Sequence, residues 1–90
     1  MITAREFQRA ARIIDRHVSA IHGDWWLQER SIRRDADHGT GQPNAILMEG
    51  CYGWTDITFD DAGESMREEL RALGLFVEAY SGWAIHVYRI

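Results

Sequence analysis

The chain has 90 residues, 46% hydrophobic and 11% aromatic, with ten basic residues against fourteen acidic ones and a net charge of −4. That length fits one domain over 1–90, the apolar content excludes a disordered chain, and the acidity argues against bulk binding to nucleic acid, which needs a basic footprint. No apolar run approaches the ~20 residues of a membrane span; the start Met1-Ile2-Thr3-Ala4-Arg5-Glu6 has no signal core, and the lone Cys51 closes no internal disulfide, so a cytoplasmic protein is expected.

The first element is a helix over 4–22. Thr3 and Glu6 form a T-x-x-E capping box, and Phe7, Ala11, Ile14, Val18 and Ile21 recur on one face, widened by Ala10 and Ile13. Gly23 suits the stop, because glycine accepts the left-handed conformation. The opposite face carries Arg5, Arg9, Arg12 and Arg16, partly balanced by Glu6 and Asp15. Such a strip suits phosphates or acidic side chains; a solvated helix face is the simpler expectation.

Residues 24–34, DWWLQERSIRR, are read as a strand with a bulge near Gln28 to Arg30, which would bring Leu27 and Ile32 to one face. The loop 35–43 follows. Asp35, Asp37 and His38 can ligate a divalent ion by residue type, but the zinc and calcium ligand patterns are absent. Gly39-Thr40-Gly41 lies between two strands rather than before a helix, and the chain has no lysine to reach a phosphate. A polar hairpin loop is expected, with no metal and no cofactor, and with Asp35 and Asp37 as partner contacts.

Strands are predicted over 44–50 and 52–59, turning through Gly50 to Gly53; Thr55, Ile57 and Phe59 share one face of the second. A second helix then runs to Gly74, capped by Asp60 or Asp61, with Met66, Leu70 and Leu73 as its buried stripe. Its outward acids Asp61, Glu64, Glu68 and Glu69 suit a basic partner. The segment 75–90 is a hairpin. A three-residue loop Tyr80-Ser81-Gly82 gathers Leu75, Val77, Ala79, Trp83, Ile85 and Val87 on one face. Phe76, Glu78, Ala84, His86 and Tyr88 fall on the other.

The order α-β-β-β-α-β-β with short connections predicts an α+β fold: a mainly antiparallel sheet of about five strands with two helices packed on one face. The outer sheet face holds Phe76, His86, Tyr88 and Trp54. Aromatics on a sheet can stack nucleotides, but Glu78 and Asp56 beside them repel phosphate, so coverage or a protein interface is expected. A homodimer would bury the same face. His86 and Glu78, placed diagonally, form a surface pair rather than a catalytic base with its orienter, and there is no G-x-S-x-G or other nucleophile signature.

These features point to a non-enzymatic protein-binding module, an acidic inhibitor or regulator docking on a larger basic partner such as a nucleic-acid-handling complex. Its contacts are expected among Asp61, Glu64, Glu68, Phe76, Glu78, His86, Tyr88, Arg5, Arg9, Arg12, Arg16, Asp35 and Asp37. Small phage-encoded inhibitors, the anti-CRISPR proteins among them, are similar to this chain in size and acidity alone; no motif carries residues across. The alternatives are direct nucleic-acid binding through the arginine strip, and a small metal protein using the 35–38 loop.

Overall fold

Helix α1 runs from Ala4 to His22 in the computed structural model, which describes residues 2–33, 44–48, 61–81 and 84–90. The capping box starts it. The Glu6 N–H donates to Thr3 Oγ1 at 3.1 Å, and the Thr3 N–H donates to Glu6 Oε1 at 2.9 Å. Gly23 ends the helix at φ 94°, its N–H donating to the Ser19 carbonyl at 2.8 Å. Phe7, Ala10, Ala11, Ile14 and Val18 are buried as the periodicity requires, with Ile13 packed against them. Ile21 is exposed, because the stripe runs one turn beyond the layer that covers it.

The strand expected over 24–34 is not there as a whole. Trp25–Glu29 forms a short helix, α2, and only Ser31–Arg33 is a strand, β1. The cause is Trp26. A helical turn drives this one residue inward, to full burial, while Trp25 and Leu27 stay exposed. The turn closes with the Arg30 N–H on the Trp26 carbonyl at 3.0 Å. A bulged strand would have spread the apolar residues over two faces; the single helical turn makes the bulge unnecessary.

Strands β2 (Ala45–Leu47), β3 (Leu75–Ser81) and β4 (Ala84–Arg89) complete an antiparallel sheet in the order β1-β2-β4-β3. The strand expected over 52–59 lies outside the described residues, as do the loop 35–43, Cys51 and Trp54. Four strands are therefore described where about five were expected. The second long helix is preceded by a 3-10 turn at Asp61–Gly63 and runs as α3 from Glu64 to Ala72. Its N-cap is Gly63 with no side-chain cap bond, so Asp61 does not cap α3 as expected but sits within the turn before it. Gly74 follows at φ 76° and passes the chain into β3; Met66 and Leu70 are buried, while Leu73 beside this turn is exposed.

Among the described residues the hairpin keeps its expected faces but not its expected register, and Gly82 and Trp83 lie outside them. A three-residue loop would set Val77 opposite Ile85. Instead Val77 lies opposite Val87 and Ser81 opposite Ala84, with a bulge between Ala79 and Ser81. The displacement along β4 is two residues. Because side chains alternate with period two, an even displacement leaves the sorting of faces untouched.

One buried cluster joins α1, Trp26, α3 and the inner sheet face of Ile46, Leu75, Val77, Ile85 and Val87. Each fully buried large side chain among these contributes about 1.5–3 kcal/mol. On the other sheet face, Ala45, Leu47 and Ala84 form a second, smaller buried cluster, and His86 is buried with them.

Candidate functional site

The outermost described strand on one side of the sheet is β3. The ladder fixes which of its backbone groups face outward. The Ile90 N–H donates to the Gly74 carbonyl at 2.7 Å, and the Val87 N–H donates to the Asn44 carbonyl at 2.9 Å, toward β2. In an antiparallel pair, hydrogen-bonded and non-hydrogen-bonded residues alternate. The bonded pairs of β3 with β4 are therefore Phe76 with Tyr88 and Glu78 with His86. Leu75, Val77 and Ala79 turn their N–H and C=O groups away from β4, to the outer edge.

Side chains flank that edge on both sides. On the outer sheet face Phe76 stacks on Tyr88, with ring centroids 5.3 Å apart and 29° between planes. Tyr88 meets His86 edge-on at 6.1 Å, and its hydroxyl lies 3.2 Å from His86 Nδ1. Phe76 is 40% exposed and Glu78 is exposed, whereas His86 is buried. Glu78 stands directly across from His86 in the ladder, not diagonally to it. On the inner side, a groove of about 220 Å³ separates β3 from α3, floored by Leu70, Leu75 and Val77, with Arg67, Arg71 and Phe76 around it.

The charged surfaces divide in an informative way. Asp61, Glu64 and Glu68 are exposed and have no ion-pair partner among the described residues. Glu69, one residue on, is engaged by α1: Arg16 donates to it, and His17 Nε2 lies 2.9 Å from its carboxylate. The His17 hydrogen bond, then that of Arg16, holds the Glu69 carboxyl below its ordinary value. Arg16 is thereby removed from the arginine strip as a free group. Arg5, Arg9 and Arg12 remain exposed, without an ion-pair partner among the described residues.

No protein family, curated protein or solved structure matches the chain. Its sites therefore rest on chemistry alone. Among the described residues, no group of three or more His, Cys, Asp or Glu side chains could hold a metal ion. Asp35, Asp37 and His38 lie outside the described residues. No helix among the described residues is long and apolar enough to cross a membrane.

Sequence reasoning missed one constellation. Asp15 is 8% exposed, on the buried side of α1. Its Oδ1 accepts from Trp26 Nε1 at 3.0 Å and from Arg30 Nε at 2.7 Å, and its Oδ2 accepts from Arg30 Nη2 at 2.7 Å. The bidentate pair raises the pKa of the Arg30 guanidinium above its ordinary value, against the opposing effect of burial. A signal was present: Asp15 falls four residues after Ala11 and three before Val18, inside the apolar stripe.

Proposed function

We propose that this chain is a non-catalytic protein-binding module that takes an extended segment of a larger partner onto the edge of β3. The observation that carries the reading is the set of Leu75, Val77 and Ala79 backbone groups that face away from β4, exposed at Ala79 while Leu75 and Val77 are buried. Strand addition draws affinity from such an edge and specificity from pockets on alternate side chains. Here Phe76 and Glu78 lie on one side and the 220 Å³ groove on the other. Asp61, Glu64, Glu68 and Glu78, with no ion-pair partner among the described residues, favour a basic partner over a second copy of this acidic chain. An inhibitor or regulator of a nucleic-acid-handling complex in the cytoplasm is the narrower form of the same proposal.

The test pairs affinity purification of the tagged protein from host extract with light scattering of the eluate, for the wild type and Ala79→Pro. Proline there removes an outward N–H and costs no ladder bond. A stoichiometric complex formed by the wild type and lost by Ala79→Pro, with the far-UV spectrum retained, supports the edge. The same complex formed by both removes it, and a bare homodimer in both removes the partner.

A second reading has its own observation, the exposed guanidinium groups of Arg5, Arg9 and Arg12, without an ion-pair partner among the described residues. Direct nucleic-acid binding through them predicts a slope of log affinity on log salt near −3, at about −0.9 per phosphate neutralised. Undetectable oligonucleotide binding at low salt disposes of it.

A further inference from the structure

A groove of about 360 Å³ runs between α1 and β1, away from the β3 edge. From its construction we infer that it binds a small organic monoanion, a carboxylate on a short alkyl chain or single ring. The proposal is independent of the protein-docking reading.

Phe7 and Ala11 make its floor, and Ala4 and Ile32 wall it with further apolar surface. Two guanidinium groups, Arg12 and Arg30, and one carboxylate, Asp15, also line it, so its charged groups among the described residues sum to +1. Arg30 is not a loose surface cation. Asp15 holds its Nε and Nη2, each at 2.7 Å, and Trp26 anchors Asp15 in turn. That leaves Nη1 of the fixed fork unused by Asp15, and Arg30 has no further side-chain acceptor among the described residues. Arg12 stands exposed at the lip, also without an ion-pair partner among them.

An orienting residue behind a binding residue is how proteins fix the direction of a cation before the ligand arrives, which lowers the ordering cost of binding. An apolar cleft with a few convergent polar groups is the usual form of a small-molecule site. The volume lies at the low end of the ~300–1,000 Å³ range for such sites, which sets the size of the ligand body. Guanidinium groups at one place and hydrocarbon along the rest set its chemistry: a carboxylate head on Arg12 and Arg30, and an apolar body over Phe7, Ala11 and Ile32.

The experiment is an NMR titration of the full chain with hexanoate and benzoate, and with hexanol and benzyl alcohol as uncharged counterparts. Saturable shifts of the Ala11 and Ile32 methyl groups are expected, with each carboxylate bound about tenfold more tightly than its alcohol, as a charge-assisted contact requires. Arg12→Gln, an exposed change, should abolish that preference, while Arg5→Gln, outside the groove, should leave it. Equal affinity for acid and alcohol, an unchanged preference in Arg12→Gln, or no saturable shift at millimolar ligand would each overturn the proposal.

Discussion

Replacing Asp15 by Asn tests whether the Asp15–Trp26–Arg30 network holds α2 against α1. Asn retains one oxygen that can accept from Trp26 or Arg30, but its amide nitrogen faces the Arg30 donor that Oδ2 now accepts at 2.7 Å. Removing one partner of a buried ion pair costs about 3–5 kcal/mol, because the other charge stays desolvated. Here the side chains are 12% exposed for Asp15 and 21% for Arg30, so water recovers part of that cost. A loss of about 2–3 kcal/mol follows once this screening is allowed for. For a domain of this size the melting temperature should fall by roughly 10–20 °C, at about 4–8 °C per kcal/mol. In urea the midpoint should fall by about 1–2 M. Far-UV circular dichroism is the right signal, since tryptophan fluorescence would report Trp26 itself. The double variant Asp15→Asn/Arg30→Met should lose less than the sum of the singles, by at least about 1 kcal/mol. A single variant within about 0.5 kcal/mol of wild type, or strict additivity, would refute the network.

The pH dependence follows from Glu6. Its carboxyl is drawn down from 4.5 to about 2, chiefly by the hydrogen bond from Arg89 and then by the Thr3 N–H. A folded value below the unfolded one stabilises fully above about pH 4.5, and that stabilisation fades as pH falls toward 2. Denaturant titrations across this window should show the loss, and Glu6→Gln should reduce its slope. Ile14 is fully buried, so Ile14→Ala should cost about 2–5 kcal/mol, read from the urea midpoint. At Gly74, with φ 76° and nothing within 4 Å of an added Cβ, alanine should cost about 1 kcal/mol and asparagine less, purely through the backbone. Thr3→Ala removes one half of the capping box and should cost about 1 kcal/mol in the same assay.

The long elements were legible because each obeys a local rule. The Thr3–Glu6 box and the 7, 11, 14, 18 spacing place α1, and Gly23 and Gly74, the positive-φ glycines among the described residues, stand at predicted stops. The Trp25-Trp26 segment was not legible as a helix, since a five-residue turn is too short to display a period. What decides it is Asp15, eleven residues before Trp26 in the chain, and no local pattern encodes that partnership. The hairpin shows a different limit: hydrophobic alternation reports which face a residue takes, but it is blind to a slip of two, the net of a turn that brings Ser81 opposite Ala84 and a one-residue bulge before it. Among the candidate contacts, Phe76, Glu78, Asp61, Glu64 and Glu68 are on the surface as read. Burial of His86 and the capture of Arg16 by Glu69 depend on tertiary neighbours and carry no signature in the residues themselves.

The place of β4 bears on how the protein is made. It follows the other described strands in the chain, yet it sits between β2 and β3 and hydrogen-bonds to both. A ribosome releases the chain from its N-terminus, so β2 and β3 emerge with no strand to join them. Until residues 84–89 are free, Ile46 and Val77 have no β4 against which to close, and α1 and α3 have only part of the sheet to cover. Joining of β2 to β3 therefore waits for β4, governed by contacts far apart in sequence, and the nascent chain holds sticky strands in the open until then.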